Sequence, residues 1–410
     1  MKEFLKRINV FTILVALLTF VIGWQFGHRD FQFRIQNYHP KITVTNKTPP
    51  DNIKVDFKLF WDTWDLLSQH YLDKNALDPQ KLFYGAIQGM VAAVGDPYTV
   101  FLPPDQQKIT KEELNGSFEG VGIELGFNKD KRLVVIAPLD GTPAEKGGIK
   151  AGDMILAIDK KVTTTLSLPD AVNLIRGTKG SDVTLTILRE GETDTRDITL
   201  TRDTIVVKSV NLTFKTLKSG KDIAVLKLSR FGERTNDEWI SAVSELLTHG
   251  PAGIVLDVRN NPGGFLDGAV FIASEFLDSG DIVLQENNEG QKLPYKVNRT
   301  GKLLNFPLVV LINKGSASAS EIVSGALQDR KRAKLVGEKS FGKGTIQEAK
   351  ELPGGTGIHI TTAKWLTPNG RWVNETEGLD PDVVVALPKS TDGIPTLEDT
   401  QMDRALELLN

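Results

Sequence analysis

Leu308-Val309-Val310-Leu311-Ile312-Asn313-Lys314-Gly315-Ser316-Ala317-Ser318-Ala319-Ser320-Glu321-Ile322 decides how the rest of the chain is read. Five apolar residues in a row, closed by Asn-Lys-Gly, have the pattern of a strand buried on both faces of a parallel sheet. The serines that follow open a helix. A serine at such a turn ordinarily caps the helix and satisfies orphan N–H groups. Here alanines separate the serines, which leaves room for a substrate backbone, and the helix N-terminus supplies N–H groups to a developing oxyanion.

A serine hydroxyl needs a base. Lys343, in Phe341-Gly342-Lys343-Gly344-Thr345-Ile346-Gln347, lies between glycines and beside apolar residues. Desolvation lowers a lysine pKa, and the uncharged amine is a general base. Read as a strand, this segment puts Lys343, Thr345 and Gln347 on one face, so that Gln347 orients the amine. Arg259-Asn260-Asn261-Pro262-Gly263-Gly264 follows another apolar run, Gly253 to Val258. It lies at the C-terminal end of a strand, where α/β sites form, and its glycines free N–H groups for an oxyanion. Taken alone, the loop reads equally well as a plain turn.

Other chemistries find little support. The chain has no cysteine. There is no Gly-x-Ser-x-Gly elbow. His28, His39, His70, His249 and His359 are scattered and form no His-Glu-x-x-His zinc site. Residues 337–343 have the glycine–lysine spacing of a P-loop, but Gly344 stands where the magnesium-binding Ser or Thr belongs. No metal, nucleotide or other cofactor is expected. The formal net charge of −3 gives no basic footprint for nucleic acid.

With 410 residues the chain is long enough for two or three domains. Ile8 to Gly27 carries no formal charge and follows Lys2, Lys6 and Arg7. Its length suits a transmembrane helix with the N-terminus cytoplasmic and the remainder exported. A signal peptide, removed to give a secreted protein, is the competing reading. The expected organisation is a stub and anchor at 1–30, a proline-containing linker at 31–52, a helical region at 53–107, a second unit at 108–203, an α/β unit at 204–389 and a tail helix at 390–410. The helical segment 55–94 and the tail 395–410 are candidates to carry a homodimer.

Between 108 and 203 short strands and two helices alternate, beginning at Gly120-Val121-Gly122-Ile123 and running through Gly141-Thr142-Pro143-Ala144 and Ala151-Gly152-Asp153. This order resembles a PDZ domain. Physically, such a glycine loop points N–H groups at a terminal carboxylate, and the adjoining strand edge pairs with an extended peptide.

Together with Val94-Gly95-Asp96-Pro97-Tyr98-Thr99, Asp257 to Gly264, Gly315 to Glu321 and Phe341 to Gly344, the chain after residue 55 resembles the carboxyl-terminal processing peptidases, or tail-specific proteases. The resemblance implies a crotonase-like α/β protease core with a PDZ domain set before or into it. It implies Ser318 as nucleophile, Lys343 as general base and Gln347 as the residue that positions the lysine. Ala319 N–H and Gly264 N–H would form the oxyanion hole. Gly120, Val121, Gly122 and Ile123 would bind the free C-terminus of a protein or peptide substrate. Arg176 would dock the PDZ domain onto the protease, although by itself it reads equally as a solvated arginine. The expected activity is a membrane-anchored serine endopeptidase that cleaves through an acyl-enzyme. The alternative is a catalytically silent PDZ scaffold that binds C-termini.

Overall fold

The computed structural model describes residues 15, 17–20, 31–36, 39–44, 55–386 and 398–410. These divide into two compact units, residues 1–82 and 83–410. Most of the expected anchor at Ile8 to Gly27 lies outside the described residues. Among those described, no helix is long and apolar enough to cross a membrane.

In the first unit, β1 (Phe31–Gln36) and β2 (His39–Val44) pair antiparallel with Phe31 opposite Val44. A linker was expected here. Phe31, Phe33 and Ile35 alternate with Gln32, Arg34 and Gln36, the period of a strand, and Pro40 is tolerated in a two-stranded ribbon that is all edge. Helix α1 (Lys58–His70) follows, and α2 (Pro79–Ala92) runs across the boundary between the units.

The second unit opens with β3 (Val100–Leu102), α3 (Pro104–Asn115) and β4 (Ser117–Gly120). Next come β5 (Ile123–Phe127), β6 (Leu133–Pro138), the short α4 (Pro143–Lys146), β7 (Met154–Ile158), β8 (Lys161–Val162), α5 (Leu168–Ile175), β9 (Asp182–Leu188) and β10 (Arg196–Thr201). Their sheet has the order β10-β9-β7-β6-β5, which leaves β5 at an edge. Val121, Ile155, Ile158, Val183, Leu185 and Ile187 are among the buried side chains of its own core. β11 (Asp203–Val206) then returns to pair with β4.

A second sheet carries the chain onward. β12 (Val210–Thr216), β13 (Asp222–Leu228), α6 (Thr235–His249), β14 (Gly253–Asp257), α7 (Leu266–Ala273), β15 (Asp281–Glu286), β16 (Lys292–Lys296), β17 (Leu308–Ile312), α8 (Ala319–Asp329), β18 (Lys334–Gly337), β19 (Thr345–Glu351), β20 (Gly357–Leu366), β21 (Val383–Val384) and α9 (Thr400–Leu408) complete it. The order β12-β13-β14-β17-β18-β21 is parallel from β13 onward. Every residue of β14 and β17 is buried, as continuous apolar runs in a central parallel sheet must be. One core cluster packs α6, α7 and α8 against one face, and a smaller one packs α9 through Met402 and Ala405 against the other. β14 and β17 are hydrogen-bonded neighbours, so the loops leaving their C-terminal ends meet. A third, antiparallel sheet, β16-β15-β20-β19 with β3 added to β20, brings Lys343 and Tyr98 towards that junction.

Candidate active site

The loops after β14 and β17 are stitched by side chains. Asn260 N–H donates to Asn313 Oδ1 at 2.9 Å, and Asn313 Nδ2 returns a bond to Asn260 Oδ1 at 2.9 Å. Ser316 Oγ donates to Val258 O at 2.8 Å and accepts from Asn313 N–H at 3.0 Å. Ser320 Oγ donates to Asn261 O at 2.8 Å. The two serines flanking Ser318 are therefore buried joints between the loops. Ser318 itself precedes α8 with φ 54° and ψ −115°. A non-glycine residue there is strained by about 1–3 kcal/mol, and surrounding contacts must hold it. Its N–H donates to Glu321 Oε2 at 2.8 Å.

Gly263 and Gly264 lie against this turn. A Cβ on Gly263 would stand 2.8 Å from Ser318 Cβ and 2.9 Å from Ala319 N, and one on Gly264 would stand 2.0 Å from Phe231 O. Only glycine allows the approach. The Gly263 N–H is already used, donating to Asn261 Oδ1 at 2.9 Å. Gly264 N–H makes no hydrogen bond among the described residues. Ala319 is the first residue of α8, so its N–H has no partner within the helix.

Sequence reasoning missed the group that ties these parts together. Glu321 is fully buried. Besides Ser318 N–H, it accepts Ser340 Oγ at 2.6 Å, Gly342 N–H at 2.7 Å and Lys343 N–H at 2.9 Å. Burial pushes its carboxyl pKa up, while the four donors pull it down. The serine turn and the lysine segment are thus hung from one carboxylate. The spacing Ser318-x-x-Glu321 is the signature of a capping box and was the available signal.

The Lys343 backbone is fixed by that bond and by Trp365 Nε1, which donates to Lys343 O at 2.9 Å. Its amine is not fixed in the same way. Nζ lies over the Tyr98 ring, 4.9 Å from the centroid, and hydrogen-bonds neither Ser318 nor Gln347. Burial lowers the lysine pKa below its ordinary value, while the charges of Asp96 and Glu321 raise it.

Gln347 differs from expectation. Lys343 precedes β19, which starts at Thr345, and the β19–β20 register shifts between Ile346 and Gln347. The extra residue at that shift is Thr362 on β20, so the alternation along β19 holds, and Thr345 and Gln347 line the same cavity as Lys343. Gln347 Nε2 donates to Thr345 Oγ1 at 2.9 Å and Thr361 Oγ1 at 3.1 Å rather than contacting the amine. Even so, Ser318, Ala319, Gly263, Gly264, Lys343 and Gln347 all line one cavity of about 680 Å³, together with His359. His359 has its pKa lowered by burial and by the Lys343 charge. Among the described residues no cluster of His, Cys, Asp or Glu is suited to a metal ion.

Gly120 to Ile123 line a separate cavity of about 290 Å³ beside edge strand β5, with Leu125, Leu139, Val172 and Ile175 supplying apolar walls. Gly122 has φ 79°, and a Cβ there would stand 2.5 Å from Thr142 Cβ. Arg176 also lines the cavity and is partly buried. Its guanidinium lies 4.6 Å from the Phe118 ring centroid and donates to Glu112 Oε2 of α3 at 3.2 Å. The C-terminal carbonyls of α3 are in turn held by the core, with Arg230 Nη1 donating to Glu113 O and Glu233 N–H to Leu114 O.

The sequence profile of peptidase family S41 matches residues 222–385, a PDZ domain profile matches 134–189, and the profile of the activating protease CtpB N-terminal domain matches 22–106. A carboxyl-terminal-processing protease of Synechocystis is 38% identical over 370 residues, 86% of each chain. The carboxy-terminal processing protease CtpA of Bacillus subtilis is 37% identical over 326 residues, 79% of this chain and 68% of that one. A solved photosystem II D1 C-terminal processing protease is 33% identical, covers 82% of this chain and 97% of its own, and superposes with a TM-score of 0.48.

Proposed function

From the premise that the chain belongs to the carboxyl-terminal processing proteases of peptidase family S41, serine peptidases with a PDZ domain, we propose that it cleaves exported proteins with Ser318 as nucleophile and Lys343 as base. The uncharged Lys343 amine takes the Ser318 proton as Oγ attacks the scissile carbonyl. The carbonyl oxygen becomes an oxyanion, received by the Gly264 and Ala319 N–H groups. On collapse of this intermediate the C–N bond breaks, and the Lys343 ammonium gives its proton to the departing amine. An ester to Ser318 remains. Lys343 then deprotonates a water, which attacks the ester and releases the second product with Ser318 restored.

The observation that carries this reading is the shared cavity. A strained serine, a desolvated lysine and two backbone N–H groups without protein acceptors face one space. The smaller cavity beside β5 is the proposed dock for the substrate's C-terminal residues. Its apolar walls suit an apolar last side chain, and the edge strand suits an extended peptide. Arg176, tied to α3 through Glu112, is the proposed link from that dock to the core. The uncharged run at Ile8 to Gly27 after a basic N-terminus supports anchoring in a membrane with the protease outside the cytoplasm. A secreted form would follow if that run were a cleaved signal.

The test uses protein lacking residues 1–30 and an unstructured casein chain. Ser318→Ala and Lys343→Ala are each expected to lower kcat/KM by about ten-thousand-fold or more. Turnover at the wild-type rate by either variant overturns the assignment.

A further inference from the structure

The described site leaves one contact unexplained. The Lys343 amine rests on an aromatic face. The backbone that carries that ring is held firmly. Asp96 Oδ1 accepts Tyr98 N–H at 3.1 Å, and Asp96 Oδ2 accepts Thr99 Oγ1 at 2.7 Å. Thr99 Oγ1 accepts Thr361 N–H at 3.0 Å, and β3 continues the attachment by pairing Val100 with His359 and Phe101 with Ile358 on β20. Gln347 joins the same structure from β19 through Thr361. The segment from Asp96 to Thr99 therefore presents a ring from a backbone anchored to the antiparallel sheet, and the lysine amine lies over it.

An aromatic face attracts an ammonium and has little attraction for an amine. The ring thus favours the protonated form, which cannot take the Ser318 proton. We propose that Tyr98 is a positioning residue for Lys343, its ring being the seat that holds the side chain as an idle ammonium when Ser318 is not being deprotonated. The proposal rests on the reading of Lys343 as the base. It gives the invariable cost of activating the base a physical source: the proton must be lost from a cation that a ring is holding.

The other charged groups facing the amine come from each element packed around it. Asp96, in the segment before β3, and Glu321, on α8, favour its charge, while desolvation opposes it. On β20, His359 repels the ammonium when it is protonated. From β19, Thr345 and Gln347 are uncharged. Burial and the charges of Glu321 and Asp96 raise the Tyr98 phenol pKa, so the ring stays neutral wherever the amine titrates below it. Of the groups that favour the ammonium, the ring can be altered without changing a charge, which Asp96 and Glu321 cannot.

The test is the pH profile of kcat/KM for the full chain on the same casein substrate. Activity rises as Lys343 loses its proton, so the acid limb reports the base. Tyr98→Phe keeps the face and is expected to keep the limb within about a fifth of a pH unit. Tyr98→Leu removes the face and is expected to move the limb down by about half to one unit. Phenylalanines carrying increasing numbers of ring fluorines at position 98 keep the shape while weakening the face. They are expected to move the limb down step by step, which protects the test against a Leu variant that fails to fold. A limb unmoved across the fluorinated series, with Lys343→Ala still inactive, overturns the seat and leaves the base standing. An active Lys343→Ala variant overturns both.

Discussion

Ser318 and Lys343 face one cavity, yet they are held in opposite ways. The serine is fixed to the point of strain. Its φ is positive, its N–H is bound by Glu321, and the serines on either side pin the neighbouring loop. The lysine is fixed only along its backbone, and its amine lies on a ring without a hydrogen bond to its partner. The difference teaches where activation occurs. On the proposed reading, the nucleophile and its N–H donors stand assembled, and the remaining step is a proton loss and a movement of one amine from the ring. Strain is affordable at Ser318 because it is over-determined, whereas a base that must change charge and partner cannot be bonded permanently to either.

The largest expected effect breaks the comparison at both ends. Lys343→Ala and Ser318→Ala are expected to be equally inactive, and the double variant no worse than either, because groups acting in one step do not add. Their kcat/KM values, measured together, would contradict the account if the losses multiplied. Next comes Glu321→Gln, which removes the charge that accepts four donors from both halves. A buried charged hub of this kind contributes about 2–4 kcal/mol, so chemical denaturation should show a loss of that order with activity falling alongside it. Retained stability and activity would show that the two halves are held by something else.

Gly264→Ala attacks the serine side alone. The added methyl meets Phe231 O and forces the loop away from Ser318. A loss of about one hundredfold in kcat is expected, with KM changed less, as for removal of one oxyanion donor. A fall in KM-dependent binding alone would place the defect elsewhere. Smallest is Gln347→Ala. Its amide serves Thr345 and Thr361, so kcat/KM should fall by no more than about tenfold, the scale of one or two neutral hydrogen bonds. A loss matching that of Lys343→Ala would mean that Gln347 grips the amine directly during turnover.

Much of this was legible in the chain. The apolar runs at 253–258 and 308–312 fall on the adjacent central strands of the parallel sheet. Gly122, Gly263 and Gly264 stand where the backbone has positive φ and lies too close to a neighbour for a side chain. Local pattern reaches that far because periodicity and backbone sterics are local. What it missed depends on tertiary placement. Tyr98 and Lys343 lie on different elements, and only β3 joining β20 brings them together. Alternation placed Gln347 on the cavity side with Lys343 and Thr345, but that its amide is taken by Thr345 and Thr361 could not be read from spacing. Glu321 went unread although it stands three residues after Ser318, and that its carboxylate also receives Ser340, Gly342 and Lys343 could not be read from spacing. In the hairpin at 31–44 the prolines outweighed an alternation that was present all along.

The central claim concerns one hydroxyl made reactive by one amine. The most direct test is the rate at which a fluorophosphonate, a covalent serine-directed probe, labels the full chain across pH, with the modified residue mapped by mass spectrometry. The account predicts label on Ser318 alone, at a rate that rises with pH as Lys343 deprotonates and collapses in Lys343→Ala. Label on another residue, or Ser318 labelling as fast without Lys343, would contradict it.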